Sequence, residues 1–231
     1  MRTLAIGDIH GVSTALDALL VAVKVKPSDR LVFLGDYVDR GPDTKGVLDR
    51  LLHLTKTHRV VCLRGNHELM MARSRDDKSE RRMWMSVGGA QALASYGKAP
   101  GLSGTVVDVP TEHWDFLTKT CVDYYETESH IFVHANLDGS KPLDNQSEEK
   151  LFWEFLSVSV THPSGKTVVC GHTSQKAGEP LDLGDTICID THAYGGGWLT
   201  CLDCDTYEYW QADVMGRMRV GQLDARGHSG Y

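Results

Sequence analysis

The chain has 231 residues, 41% hydrophobic and 24% charged, close to the average of folded globular domains, which excludes a disordered, collagen-like or coiled-coil chain. A chain of this length buries roughly 70% of the surface its unfolded form exposes, so it needs no staples to fold. With 24 Lys and Arg against 31 Asp and Glu the net charge is −7, and without a basic tract no nucleic-acid docking surface is expected.

The first 70 residues alternate strand and helix signals. Thr3–Ile6 is a short apolar run, and Val12–Val25 carries Leu16, Leu19, Leu20 and Val23 on one helical face. Leu31–Leu34 is a second strand. Pro42 can open a helix, in which Val47, Leu48, Leu51 and Leu52 form the apolar stripe. Val60–Leu63 is a third strand. This βαβαβ order implies a largely parallel sheet buried on both faces. Further on, Arg81–Tyr96 and Thr111–Lys119 read as helical, and Val122–Thr127 and His130–His134 as strands. A polar loop over 138–147 leads to a helix at Glu148–Val158 and strands at Lys166–Cys170 and Thr186–Ile189. A hairpin of Trp198–Leu202 and Tyr207–Ala212 comes next, and the Gly- and Arg-rich tail after Met215 is expected to fray. With no repeat or linker, residues 1–231 read as one domain.

No apolar run approaches the roughly 20 residues that cross a bilayer, and the N-terminus shows no signal-peptide pattern, so no membrane contact and a cytoplasmic location are expected. The six cysteines fit that compartment. Cys62, Cys170 and Cys188 read as buried hydrophobes, and the Cys201-x-x-Cys204 pair, lacking a second pair, reads as structural.

The chemistry lies in the residues just beyond each strand: Gly7-Asp8-Ile9-His10-Gly11, Gly35-Asp36-Tyr37-Val38-Asp39-Arg40-Gly41, Arg64-Gly65-Asn66-His67-Glu68, His134, and Gly171-His172. Ligands of open α/β sheets bind beyond the carboxyl ends of the strands. Five strands therefore deliver Asp8, His10, Asp36, Asn66, His134 and His172 to one edge. A mixed oxygen and nitrogen set suits Mn, Fe or Zn better than Ca. Six ligands exceed the need of one tetrahedral site, so two divalent metals are expected, Mn first among them, with Asp36 as the bridge. Arg40 can offer a planar fork to phosphate oxygens. His67, beside Asn66, is free to donate a proton to a leaving group, with Asp39 holding its tautomer.

At these residues the sequence resembles the phosphoprotein phosphatase branch of the calcineurin-like metallophosphoesterases, and within it the short bacterial and phage lambda-type Ser/Thr phosphatases. The resemblance extends to Arg-Gly-Asn-His-Glu-x-Met-Met at Arg64–Met71 and spans Leu4 to about Leu202. It implies a β-sandwich of mixed sheets flanked by helices, an α/β fold with the site at the carboxyl edge of the strands. It assigns Asp8, His10 and Asp36 to a first metal and Asp36, Asn66, His134 and His172 to a second. It makes His67 the general acid, oriented by Asp39, and Arg40 a phosphate ligand.

Two stretches depart from the family pattern. Leu151-Phe152-Trp153-Glu154-Phe155-Leu156 lacks the family's second phosphate-binding arginine, so either the clamp has one fork or another residue such as Arg73 or Arg75 substitutes, and His134-Ala135-Asn136 lacks a common Gly. Asp39 has a second reading as the cap of the helix near Pro42. Glu68 reads as support for the first turn of its helix, and the five Trp as core or rim packing. His53, His58, His113, His130, His162, His192 and His228 are not assigned to the site; most sit in polar loops or on helix surfaces, and His192 leaves a strand near the site edge. Gly195-Gly196-Gly197 reads as a flexible turn rather than a phosphate cradle.

The expected function is hydrolysis of phosphoserine and phosphothreonine in proteins, or of a small phosphoester, by direct attack of a metal-bridging hydroxide. The alternative is a diadenosine tetraphosphatase-type phosphoanhydride hydrolase, which an aromatic slot beside the metals favours. Nothing in the chain reports oligomeric state.

Overall fold

The fold is taken from a computed structural model describing residues 1–99 and 101–224. Its first half builds β1 (Thr3–Ile6), α1 (Ser13–Val23), β2 (Arg30–Phe33), α2 (Thr44–Thr57) and β3 (Arg59–Cys62). The helices α3 (Asn66–Ser74), α4 (Lys78–Trp84), α5 (Ala90–Ala94) and α6 (Thr111–Asp115) come next. The second half holds β4 (Tyr124–Glu126), β5 (His130–Val133), α7 (Glu148–Phe152), β6 (Thr167–Cys170), β7 (Leu181–Asp182), β8 (Thr186–Cys188) and β9 (Asp190–Thr191). It closes with β10 (Trp198–Asp203), β11 (Glu208–Ala212) and β12 (Met218–Gln222).

Two mixed sheets stack. One runs β12-β11-β10-β1-β2-β3, with β9 beside β10; the other runs β4-β5-β6-β8-β7. The β-sandwich is as expected, but the first sheet is not largely parallel. Only β1, β2 and β3 pair in parallel, while β10 returns antiparallel to β1 and carries the antiparallel β11 and β12. The expected hairpin of β10 and β11 is present and joins the sheet through β1.

Alternation along the strands explains the layers, because successive side chains of a strand point to opposite faces. Leu4, Ile6, Leu31 and Phe33 face α1 and α2, where Leu16, Leu19, Val47, Leu48 and Leu51 complete one core. Ala5, Val32 and Leu34 point the other way, onto Phe132, Val169 and Ile187 of the second sheet. Ile131, Val133, Val168 and Cys170 in turn face Leu151 and Phe152. A strand buried on both faces needs no polar alternation, which is why these runs read as continuous apolar segments.

Local chemistry sets the ends. Lys24 turns left-handed (φ 52°) and stops α1. Helix α2 opens at Thr44, where Asp43, not Asp39, caps it by accepting from the Gly46 N–H at 2.9 Å. The helix expected at 148–158 ends at Phe152: Trp153 leaves helical backbone (φ −125°), and the Leu156 N–H donates to the Thr173 hydroxyl at 2.8 Å. The Arg81–Tyr96 stretch is not one helix: Gly88, at φ 131°, breaks it. There the Gly88 carbonyl accepts from the Arg40 N–H at 3.3 Å, and a Cβ would lie 2.8 Å from that nitrogen. The tail does not fray at Met215; β12 pairs with β11 from Met218 to Gln222. Residues 225–231 of the expected loose tail, His228 among them, lie outside the described residues.

All six cysteines are buried and free. Among the described residues no helix is long and apolar enough to cross a membrane.

Candidate metal centre

The site is assembled from strand ends. Asp8 and His10 follow β1, Asp36 and Arg40 follow β2, Asn66 and His67 open α3 after β3, His134 follows β5 and His172 follows β6. Asp8, His10, Asp36, Asp39, Asn66, His67 and His134 are buried. His10, Asp36, Asp39, Arg40 and His172 all adopt left-handed backbone, with φ from 45° to 72°. Each such residue costs about 1–3 kcal/mol, and the concentration of that strain at one edge is typical of a site imposed by function. Gly35, at φ 101°, has His134 Nδ1 and the Gly65 backbone within 2.9 Å of where a Cβ would stand, so a side chain there would push the β2 and β3 loops apart.

Asp36 sits between two groups. Its Oδ2 lies 3.4 Å from His10 Nε2, and its Oδ1 lies 3.4 Å from His134 Nε2. Ring nitrogens of His10 and His67 gather with Asp36 on one side; those of His134 and His172 gather on the other. The tautomers are set by the far nitrogens. His10 Nδ1 donates to the Val38 carbonyl at 2.9 Å, His134 Nδ1 to the Leu34 carbonyl at 2.8 Å and His172 Nε2 to the Trp153 carbonyl at 3.2 Å. The opposite nitrogens therefore turn lone pairs inward, the arrangement expected of metal-binding histidines. The Asn66 Oδ1 lies 3.0 Å from His134 Nε2 and faces only acceptors, Asp36 and His172 among them. Acceptors converging on acceptors need a cation or a turned amide, so the donor set fits a metal.

Electrostatics agree. Burial, with Asp190 and Asp36 nearby, pushes the Asp8 carboxyl well above its ordinary range. Asp36 goes the other way: burial would raise it, but His134, His67, His10 and His172 hold it low. Burial keeps His10 neutral far below its ordinary value and brings His172 down to about 4. Gathered carboxylates and neutral imidazoles are what a dication stabilises. Asp8 stands beside the two groups and accepts from the His172 backbone N–H at 3.1 Å.

His67 Nδ1 lies 2.6 Å from Asp39 Oδ2. Burial would lower the His67 pKa, but Asp36 and Asp39 together raise it. Arg40 donates to His10 Nε2 at 2.8 Å and lies over the Tyr194 ring, 4.6 Å from its centroid. Glu68 does more than support its helix. It accepts from Gly65 at 2.8 Å, Asp36 at 2.7 Å and Tyr37 at 2.8 Å, tying the β2 loop to the β3 loop. Burial and the Asp36 charge push it up to about 7.

Asp36, Arg40, Asn66, His67 and His172 line a cleft of about 490 Å³, together with Trp153, Phe155, Lys176 and Tyr194. Neither expected substitute for the missing arginine is there. Arg73 pairs with both oxygens of Glu148, and Arg75 lies over Trp114. Two of the histidines set apart from the site are buried. His113 bonds Tyr96 and Asp49, and His130 lies in β5. Asp49, Glu112 and His113 also gather, but both His113 nitrogens are engaged and the two carboxylates are exposed. The glycine-rich turn is not loose. Gly195 and Gly197 donate to the His192 carbonyl at 3.1 and 3.0 Å, closing a turn that presents Tyr194 to Arg40.

Sequence reading missed Trp84, Asp190 and Tyr194 as parts of the site. Trp84, read only as packing, donates its indole N–H to both Asp39 oxygens at 2.9 Å. Asp190 accepts from Ser174 and from the His192 N–H. Its position at a strand end near His192 was the available signal; nothing local marks Trp84.

Comparison with known proteins places this geometry. Residues 1–196 match the calcineurin-like phosphoesterase family. The chain is 38% identical over 216 residues to serine/threonine-protein phosphatase 1 of Salmonella typhimurium, covering 84% of this chain and 88% of that one. It is 43% identical over 143 residues to a symmetrical bis(5'-nucleosyl)-tetraphosphatase of Janthinobacterium, covering 59% of this chain but only 44% of that relative's length. A crystal structure of a candidate diadenosine tetraphosphatase shares the fold, with a TM-score of 0.65 at 22% identity over 97% of this chain and 95% of that one. With the family's profile matched over most of the sequence and its fold present, this chain belongs to the calcineurin-like phosphoesterases.

Proposed function

We propose that this phosphoesterase hydrolyses phosphomonoesters, foremost phosphoserine and phosphothreonine in proteins, at a two-metal site. The observation that carries the reading is Asp36, whose two oxygens face two separate ligand groups, one with His10 and one with His134. Asp8, His10 and Asp36 would hold one divalent cation, and Asp36, Asn66, His134 and His172 the other. Bound there, the pair supplies a water of lowered pKa and neutralises phosphoryl oxygens.

The protein's own groups do the rest. Asp39 fixes the Nδ1 proton of His67, so Nε2 faces the cleft and carries the proton given to the leaving alkoxide. Asp36 and Asp39 favour the protonated imidazole against the effect of burial. Arg40 binds phosphate oxygens with its planar fork once it releases His10. The 38% identity over most of both chains to a protein named as a Ser/Thr phosphatase supports the choice of substrate.

A specific observation favours the second reading, a dinucleoside tetraphosphatase. Phe155, 66% exposed, stacks on His172 with centroids 4.9 Å apart and offers the cleft an aromatic face for a base. The discriminating experiment compares Mn²⁺-dependent turnover of a phosphopeptide and of diadenosine tetraphosphate, with His67→Asn as control. The phosphopeptide is expected to be the better substrate; faster turnover of the dinucleotide reverses the order.

A further inference from the structure

We infer that Lys176 supplies the second cation of the phosphate-binding cleft, in place of the arginine that the 151–156 segment lacks. The inference rests on the phosphoesterase reading of the cleft.

Arg40 and Lys176 are the Arg and Lys side chains on the cleft wall, and they come from different loops, one after β2 and one after β6. The arginines of α3 and its end are engaged elsewhere, Arg73 with Glu148 and Arg75 over Trp114. Lys176 is exposed and, among the described residues, has no ion-pair partner. The carboxylates that follow it in the chain are committed: Asp182 accepts from the Gly184 N–H at 2.9 Å and Asp185 from the Thr161 hydroxyl at 2.5 Å. Glu179 accepts from Tyr209 at 2.7 Å and pairs with Arg219 at 3.0 Å, and Asp190 accepts from Ser174 at 2.5 Å.

The backbone carrying Lys176 is pinned on both sides. Gln175 N–H donates to the Asp190 carbonyl at 2.8 Å, and Gly178 N–H to the Gln175 carbonyl at 2.9 Å. The Gly178 carbonyl accepts from Gln211 at 2.8 Å and Arg219 at 2.5 Å. A fixed loop thus presents an unpaired ammonium to the cleft in which the Arg40 fork stands. An ammonium is a compact point charge with rotatable donors, suited to an oxygen of the phosphoryl group being transferred without the bidentate geometry of arginine.

The test uses the Mn²⁺-loaded full chain and inorganic phosphate as probe, with affinity read by calorimetry and by competitive inhibition. Lys176→Gln is expected to weaken phosphate about tenfold, the worth of one charge-assisted hydrogen bond, and to raise KM for a phosphopeptide comparably. Lys176→Arg is expected to recover affinity. Phosphate affinity within twofold of the parent protein in Lys176→Gln overturns the inference. A rise in KM confined to diadenosine tetraphosphate also overturns it, since the ammonium then serves the leaving group. A parent protein that neither binds phosphate nor hydrolyses phosphoesters overturns the functional reading itself. Turnover by the parent with unchanged phosphate affinity in Lys176→Gln removes only the role of Lys176.

Discussion

Trp84 and Asp39 are joined by the indole N–H, which lies 2.9 Å from each carboxylate oxygen, while the same carboxylate holds His67 at 2.6 Å. Burial raises the Asp39 pKa, and the hydrogen bonds from His67 and Trp84 counter it. The end of α4 therefore contributes, with His67, to offsetting the burial of the Asp39 carboxylate.

Trp84→Phe keeps most of the buried volume but removes that donor. We expect kcat to fall about three- to tenfold for an alkyl phosphate, whose leaving group needs a proton, and less for p-nitrophenyl phosphate, with KM nearly unchanged in both. Equal losses with the two substrates would show that Trp84 does not act through His67.

Tyr194 meets Arg40 face-on and His10 edge-on, with centroids 4.9 Å apart. Tyr194→Leu should raise KM for p-nitrophenyl phosphate about three- to tenfold, because a cation–π contact of roughly 1 kcal/mol no longer aims the guanidinium. Tyr194→Phe retains the ring face and should behave as the parent. If both variants raise KM equally, the hydroxyl and not the ring matters.

His113 gives a stability prediction with a definite sign. It lies buried between Tyr96 and Asp49, with Glu112 and Lys45 also close enough to act on it. Burial lowers its pKa below the ordinary value, against the pull of Asp49. The unfolded chain then binds more protons in the window just below about pH 6.5, so stability is full above that pH and is lost as pH falls through the folded-state value. His113→Gln should flatten the fall in Tm between pH 7 and pH 5. An identical pH profile in parent and variant would remove His113 as the cause.

Phe132 lies fully buried between the two sheets, against Leu34 and Val169 of the same core. Phe132→Ala should cost about 3–5 kcal/mol in chemical denaturation, the range for a large cavity in a core without slack. A cost below about 1 kcal/mol would mean that the sheets close over the gap.

The candidate ligands are legible because each follows its strand directly. An apolar run of four residues and the Gly-Asp or Gly-Asn step after it are both local, and strand order carries them to one edge. Leu4–Ile6 and Leu31–Phe33 mark their strands, since a run buried on both faces leaves no polar interruption. The stretch at 81–96 misleads for the converse reason. Its break at Gly88 answers to Arg40, about fifty residues earlier, and no local pattern encodes that contact.

By itself the sequence determined the inner layer of this protein: the two-faced strands and the Asp, Asn and His residues that leave them, since both are properties of a few consecutive residues. Only the tertiary structure decided which groups stand behind them. Trp84 on Asp39, Tyr194 on Arg40 and Lys176 in the cleft come from separate loops and helix ends. Their spacing along the chain has no period, and contacts between distant segments are fixed by packing alone.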